Sequence, residues 1–391
     1  MGLFSKKNFG DNTVLIIDIN DFSFEAAIFS RQRGAPYELV EFLEKGNLIH
    51  ENLEATARNI EIQLERILRK IIDKAARAKK RIDFCFITFS PMWRISENHL
   101  VKIKKDAPFV FIKKDFDELL KSEDSAFFKN LKNTFNFERL KLIEADIMSV
   151  LLNGYPSETP FDKSVKTVEL HIFISAVDKR LFDFINNILR VRLNLSFEEK
   201  TLFLKSGALI SFASLKDFFP REGALLVNVG SETTEIIFIK NGRIEETAHF
   251  NKGTDFFVRR AVSELKISLN IAESYFTRFQ NNLLEAGVRE KFKNIISGAT
   301  RDFKNHFFEA VSEISAGNFL PQDLFFLSLK SLPQDLFVFK NQNGDQIFNV
   351  HKISLSELFP EKEKFCYNNS SSSLCLPSVF LNKYLDYGTK Q

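Results

Sequence analysis

The fold is decided by two stretches of sequence that share one pattern: VLIIDINDFSFEAAIFSRQRG at Val14–Gly34 and ALLVNVGSETTEIIFIKNGR at Ala224–Arg243. In each, an apolar run is followed by a short turn and then by a second apolar run, which carries Glu25 or Glu235. Two apolar runs joined by a short turn are typical of a β-hairpin. Because the pattern recurs at a fixed offset, it indicates a duplicated fold.

Each hairpin is followed by elements of the same kind. After the first come a predicted strand at Glu38–Lys45, a long amphipathic helix at Asn52–Lys80 and an apolar strand at Phe84–Phe89. The helix is predicted by apolar residues that recur at every third or fourth position. After the second hairpin come a strand at Arg243–Phe250 and a helix at Asp255–Lys266. Duplicated β-β-β-α-β units predict an α/β protein of two lobes with a cleft between them.

The first unit is followed by a long stretch that has no counterpart after the second. This stretch holds a basic segment at Lys102–Lys114, a polar helical region at Asp115–Thr134 and a predicted strand at Val168–Ser175, and we interpret it as an inserted subdomain. The predicted division is an N-terminal tail (1–10), a first lobe (11–89, resumed at 179–222), the insert (90–178), a second lobe (223–365), and a linker with a C-terminal tail (366–391).

The C-terminal region combines serines with a short apolar segment. Asn368–Ser373 predicts a flexible linker, and Pro377–Tyr387 predicts one or two turns of helix. Such a helix could anchor the chain to a membrane or fold back onto the body of the protein. The sequence leaves both alternatives open.

Composition excludes several classes of protein. With 54 Lys+Arg against 51 Asp+Glu, the net charge of +3 is too small to predict nucleic-acid binding. The 44% of hydrophobic residues excludes wholesale disorder. Since no apolar run approaches the roughly 18 residues of a membrane span, we expect peripheral membrane contact at most. The three cysteines, an odd number, argue against a disulfide framework and predict a cytoplasmic location.

The sequence also lacks the motifs of several kinds of enzyme. Its six histidines are scattered without ligand spacing, so we expect no zinc site. Neither a Gly-x-Ser-x-Gly elbow nor a Gly-x-x-x-x-Gly-Lys-[Ser/Thr] loop is present. Nucleophilic catalysis is therefore unsupported.

The two hairpin turns are the candidate functional site. A tight turn can direct successive backbone N–H groups at a phosphate, and glycine allows close approach. A carboxylate at a strand end can hold Mg²⁺ through water. Two such turns facing each other would clamp the phosphates of a nucleotide. The candidate residues are Asp18, Asn20 and Ser23 in the first turn region and Asn228, Gly230, Thr233 and Thr234 in the second.

These residues resemble the actin-like ATPases, and within them the bacterial cell-division protein FtsA and the pilus-assembly protein PilM. That superfamily carries an Asp-x-Gly-[Ser/Thr] motif in each lobe, and these two proteins carry an insert in the first lobe. Gly253-Thr254-Asp255, followed by Ala272-Glu273, is similar to a further family element. The resemblance implies ATP and Mg²⁺ as ligands, with Asp18 holding the metal and Gly253 and Glu273 at the nucleotide pocket.

Departures from the family pattern predict that hydrolysis is impaired. The first motif has Asn20 where the family has glycine, and the second has Asn228 where the family has aspartate. The glycine pair expected after a late strand is replaced by Ser328-Leu329-Lys330, and Phe276 stands near the place of a family lysine.

The resemblance implies a cytoplasmic scaffold or adaptor of a bacterial envelope machine, at the inner face of the cell membrane. We expect the machine to be that of cell division, with an FtsA-like role, in which the partners would be a tubulin-like filament and septal proteins. One alternative is a PilM-like role in type IV pilus assembly, in which the partner would be the cytoplasmic tail of an inner-membrane protein. Head-to-tail self-association is a further implication, and the insert is the expected partner surface. The other alternative is a competent ATPase in which Asp18 holds Mg²⁺ and the backbone of Gly230 and Thr233 holds phosphate.

Overall fold

The computed structural model describes residues 12–21, 23–32, 37–47, 53–77, 81–116, 118–119, 140–197, 201–315, 319–340, 347–355 and 372–384. The strands are β1 Asn12–Ile19, β2 Ser23–Arg31, β3 Glu38–Asn47, β4 Phe84–Phe89, β5 Arg94–Phe111, β6 Leu140–Leu152, β7 Tyr155–Pro156, β8 Lys163–Asp178, β9 Leu202–Ser206, β10 Ala224–Val229, β11 Thr234–Lys240, β12 Arg243–Phe250, β13 Asp323–Ser328 and β14 Asn349–Ile353. The helices are α1 Leu53–Arg77, α2 Lys179–Leu193, α3 Gly207–Leu215, α4 Thr254–Leu265, α5 Leu269–Gln280, α6 Ala286–Ser315 and α7 Cys375–Tyr384.

Two five-stranded sheets share one topology. Their strand orders are β3-β2-β1-β4-β9 and β12-β11-β10-β13-β14. In both, the first three strands are antiparallel, whereas β4 and β9, or β13 and β14, join in parallel. In each sheet, the predicted hairpin therefore forms the central strand and one strand beside it. The registers of the two hairpins match as well, because Asp18 faces Glu25 and Asn228 faces Glu235.

Alternation along each central strand divides its side chains between two apolar layers. Leu15 and Ile17 of β1 face the layer that α1 and α2 cover, whereas Val14 and Ile16 face α3 and α7. The outer face of the second sheet is covered in the same way by α4, α5 and α6. All residues of α3 from Ala208 to Leu215 are buried, since this helix packs against both sheets. One continuous core therefore joins the two lobes.

The insert contains a third sheet, with strand order β5-β8-β6-β7. Its strand β8 is longer than the predicted Val168–Ser175. Most of the basic segment Lys102–Lys114 lies on β5, a strand that the sequence analysis did not predict. Most of the predicted helical region 115–134 lies outside the described residues. The chain returns to the first lobe at α2, where the Asp178 carboxylate caps the backbone N–H groups of Arg180 and Leu181.

The described part of the C-terminal region folds back onto the first lobe. The ring of Phe380 stacks on Phe86 with a centroid distance of 5.6 Å. The Tyr384 hydroxyl donates to the carbonyl of Ala213 at 2.9 Å, and the backbone N–H of Tyr37 donates to Asn382 at 2.8 Å. Of the two alternatives for this segment, the structure shows folding back for residues 372–384. The rest of the predicted helix, and most of the predicted linker, lie outside the described residues.

One expectation from the cysteine count was wrong. Cys85 is a buried free thiol, but Cys375 is disulfide-bonded. An odd number of cysteines excludes complete pairing and leaves room for one bridge. The cysteine count therefore no longer supports a reducing compartment. In the described part of the chain, no helix combines the length and apolar character needed to cross a membrane.

Candidate functional site

The two hairpin turns meet, and a carboxylate from the first occupies the second. Asp21, which is only 2% exposed, lies just after β1. Its Oδ2 atom accepts hydrogen bonds from the backbone N–H groups of Glu232 at 3.0 Å and Thr233 at 2.9 Å. Its Oδ1 atom accepts a third from the Thr233 hydroxyl at 2.9 Å. Of the two backbone N–H groups predicted to receive a phosphate, that of Thr233 is thus satisfied by a side chain of the same protein.

Gly230 leaves little room for a side chain beside the carboxylate. A Cβ atom there would lie 3.1 Å from Asp21 Oδ2 and 3.0 Å from the Thr233 carbonyl. The Gly230 N–H donates to that same carbonyl at 2.9 Å, which closes the turn. The geometry is that of a small anion-binding turn, filled by a carboxylate.

The start of α4 closes the other side of this turn. The backbone N–H groups of Thr254 and Asp255 donate to the carbonyls of Gly230 and Ser231, both at 2.9 Å. The first turn of a helix has unpaired N–H groups that often bind anions, but here the neighbouring loop satisfies two of them. A Cβ atom on Gly253 would lie 2.4 Å from the Ser231 backbone. Gly253 therefore brings the helix against the turn.

Asp18 lies on the face of the first sheet that α7 covers. It is 8% exposed, and the Thr88 hydroxyl donates to its Oδ1 atom. Burial raises the pKa of Asp18 to about 6, and hydrogen bonds from Thr88 and Ser373 oppose that rise only in part. The nearby charge of Glu25 contributes to this rise.

Glu25 holds the C-terminal segment across the same face. Its Oε2 atom accepts a hydrogen bond from the Ser372 hydroxyl at 2.6 Å and another from the Ser373 backbone N–H at 2.9 Å. The segment before α7 thus contacts both Asp18 and Glu25. Among the described residues, no group of three or more His, Cys, Asp or Glu is placed to hold a metal ion.

The other candidate residues have structural contacts. The Asn20 N–H donates to the Ser23 carbonyl at 2.8 Å, and the Asn20 carbonyl accepts from the indole of Trp93 at 2.7 Å. The Thr234 hydroxyl donates to the Lys252 carbonyl at 2.7 Å. These bonds fix the shapes of the loops around the two turns.

Two candidates remain at the margin of the site. Asn228 is half-buried on β10, in register with Glu235, and brings no charge. Glu273 is exposed on α5, beside the buried Ala272. The structure therefore brings the two turns and Gly253 together, while the side chain of Glu273 faces solvent.

Sequence reasoning missed Asp21. The signal available was an acidic residue one position beyond the first turn motif, paired with a second motif that lacks its own aspartate. Asp21 and Glu232 are 211 positions apart in the chain, so the hydrogen bond between them depends on how the two lobes pack. A local pattern carries no information on that packing.

Comparisons with known proteins find similarity in structure only. No family model matches the chain, and no curated protein matches it. A solved chain described as the "PilM-PilN type IV pilus biogenesis complex" superposes with a TM-score of 0.54 at 14% identity, covering 94% of this chain and 98% of that one.

Two further solved structures superpose less well. A Bacteroides thetaiotaomicron protein described as having an actin-like ATPase fold and unknown function gives a TM-score of 0.39 at 11% identity, covering 94% of this chain and 95% of that one. The ethanolamine utilization protein EutJ of Carboxydothermus hydrogenoformans gives 0.38 at 10% identity, covering 82% and 78%.

An identity of 14% establishes likeness of fold and leaves function open. The superposition with the PilM-PilN chain extends over nearly the whole length of both chains. The predicted fold is confirmed: this chain has the actin-like ATPase fold, which it shares with the solved chain of the PilM-PilN complex.

Proposed function

We propose that this chain is a cytoplasmic adaptor of a bacterial envelope machine, in which protein recognition has taken the place of ATP hydrolysis. The observation that carries the proposal is the Asp21 carboxylate in the turn formed by Gly230–Thr233. A nucleotide phosphate would need the N–H groups that Asp21 already uses. The absence of a charge at Asn228 and the covered position of Asp18 support the same interpretation.

Displacing Asp21 is energetically unfavourable. Hydrogen bonds to a charged acceptor contribute about 1.5–3 kcal/mol each, and Asp21 accepts three. A phosphate entering the turn would regain bonds of this kind but would leave a buried carboxylate beside a second anion. We therefore expect the closed turn to exclude ATP at ordinary concentrations.

The similarity to the PilM-PilN chain favours pilus assembly over cell division as the machine. Under this proposal the partner is the cytoplasmic tail of a pilus inner-membrane protein, and the adaptor works at the inner face of the membrane. The cell-division alternative has the same fold and differs in its partner, a tubulin-like filament. Partner binding is therefore the measurement that separates the two.

Calorimetric titration with ATP and Mg²⁺ tests the nucleotide part of the proposal. The native protein should show no binding tighter than about 100 μM, which corresponds to roughly −5.5 kcal/mol. Asp21→Ala vacates the turn, and Asn228→Asp restores the charge of the family motif. If the closed turn is what excludes the nucleotide, the protein with both substitutions should bind ATP more tightly than the native protein. Asp183→Ala, on the exposed face of α2, is the matched control. Tight binding by the native protein would contradict the proposal and revive the ATPase alternative.

Fluorescence anisotropy tests the partner. One labelled probe, the pilus peptide, would be the cytoplasmic tail of the pilus inner-membrane protein, and the other would be the tubulin-like division protein from the same cell. We expect saturable binding of the pilus peptide and none of the division protein. The reverse result would assign the chain to the division machine.

A further inference from the structure

A single buried arginine connects three parts of the molecule. Arg94 is the first residue of β5, where the chain leaves the first lobe and enters the insert. Its Nε atom donates to the Phe89 carbonyl of the first lobe at 3.1 Å, and one terminal nitrogen donates to the Ser96 hydroxyl of the insert at 2.5 Å. The other terminal nitrogen donates to Glu235 Oε1 of the second lobe at 2.5 Å.

The Arg94–Glu235 ion pair is removed from water. The two side chains are 2% and 3% exposed. A buried ion pair of this kind gains little net stability over apolar residues, but the loss of one partner leaves a buried charge uncompensated. The second carboxylate oxygen of Glu235 is also buried, with no hydrogen bond to the described residues. Glu235 therefore depends on Arg94 for its neutralisation.

The duplicated hairpins use their glutamates in the same way. Glu235 faces Asn228, and Glu25 faces Asp18, so the two glutamates are equivalent positions of the repeat. Glu25 binds Ser372, which arrives from beyond the second lobe, whereas Glu235 binds an arginine from the insert. In each lobe the duplicated glutamate thus holds an element that comes from outside that lobe.

A second contact joins the insert to the second lobe. A terminal nitrogen of Arg243 on β12 donates to the Ser149 hydroxyl on β6 at 3.1 Å. His171 on β8 is buried near this arginine, and burial, followed by the charge of Arg243, lowers its pKa to about 4. Neutral His171 is compatible with the arginine beside it. The inner face of the insert therefore lies on β12.

We propose that Arg94 is a positioning residue that fixes the insert to the second lobe, and that breaking its ion pair with Glu235 releases the insert from that lobe. The insert is also held to the first lobe, where the Phe89 carbonyl accepts from Arg94 and Lys205 on β9 pairs with Glu144 and Asp146 on β6. Its contacts with the second lobe include the buried Arg94–Glu235 ion pair and the Arg243–Ser149 hydrogen bond. This inference does not depend on which partner the protein binds.

Spin-label distance measurement on the full chain tests the proposal. Labels at Tyr155→Cys in the insert and Leu283→Cys in the second lobe occupy positions that are 76% and 63% exposed. The unsubstituted protein, treated with the same label, provides the background from native cysteines. We expect one narrow distance distribution, which Arg94→Met should broaden at least twofold or shift. Lys102→Met is the matched control, because it removes an exposed ion pair with Glu169 inside the insert.

Hydrogen exchange and a double variant distinguish release of the insert from general misfolding. Arg94→Met should accelerate exchange at least tenfold in both β5 and β11, while β1 keeps its protection. Arg94→Met with Glu235→Gln leaves no buried charge, so it should melt at a higher temperature than Arg94→Met alone while still showing the broadened distance distribution. An unchanged distribution in the double variant, or a faster exchange confined to β5, would overturn the proposal.

Discussion

Asp18→Asn should stabilise the protein, by an amount that grows with pH. The Asp18 carboxyl is buried between Thr88 and the C-terminal segment, and its pKa is raised to about 6 in the folded protein from 3.8. Between these two values the folded state binds more protons than the unfolded chain. Stability contributed by this group is therefore lost as the pH rises through that window.

The magnitude follows from the size of the shift. A difference of about 2 pKa units, at 1.36 kcal/mol per unit, makes the ionised carboxyl cost about 3 kcal/mol above pH 7 and about 0.5 kcal/mol at pH 4. Asparagine has the same shape and accepts the Thr88 hydrogen bond without carrying a charge. The hydrogen bonds from Thr88 and Ser373 to the ionised carboxylate are already included in this net shift. We therefore expect a gain of about 3 kcal/mol at pH 8 and about 0.5 kcal/mol at pH 4.

Urea unfolding at pH 4, 5, 6, 7 and 8 measures this difference directly. Asp183→Asn, which alters an exposed carboxylate on α2, is the control and should stay within about 0.5 kcal/mol at every pH. The reasoning would be refuted by a difference between Asp18→Asn and the native protein that does not change with pH. A variant that becomes less stable than the native protein as the pH rises would refute it as well.

Three further substitutions test the packing around the site. Gly253→Ala should destabilise the protein by more than about 2 kcal/mol in thermal unfolding, since a Cβ atom would lie 2.4 Å from the Ser231 backbone; Gly287→Ala, with open space around it, should be tolerated. Phe380→Ala should cost about 3–5 kcal/mol in the same assay, because its ring is 2% exposed and stacks on Phe86. Lys205→Met should lower the unfolding free energy by about 3 kcal/mol at pH 7, since it leaves the carboxylates of Glu144 and Asp146 without their cation. A gain in stability would show instead that these carboxylates are protonated.

Most of the fold could be predicted from local sequence. The apolar strand Phe84–Phe89 and the strand Arg243–Phe250 have the predicted bounds, and α1 lies within the predicted helix. Hydrophobic periodicity reports which side of an element is buried, and a repeated pattern reports a repeated unit. Strand β5 was missed because its exposed lysines mask the alternation of buried and exposed side chains.

The site could be predicted only in part. The sequence indicated which turns matter, and it indicated through Asn20 and Asn228 that the family motifs are altered. It did not indicate that Asp21 would fill the second turn, nor that Arg94 would neutralise Glu235. Both depend on contacts between residues far apart in the chain.

The sequence by itself determined the duplicated α/β units, the insert and the altered turn motifs, because each follows from the pattern of residues that are neighbours in the chain. Only the tertiary structure decided that the turns close on each other and that the C-terminal segment covers Asp18. The physical reason is that the hydrogen bond from the Thr233 N–H to Asp21 requires a nitrogen of one lobe to lie 2.9 Å from an oxygen of the other. That distance is set by the shared core around α3, to which both sheets contribute.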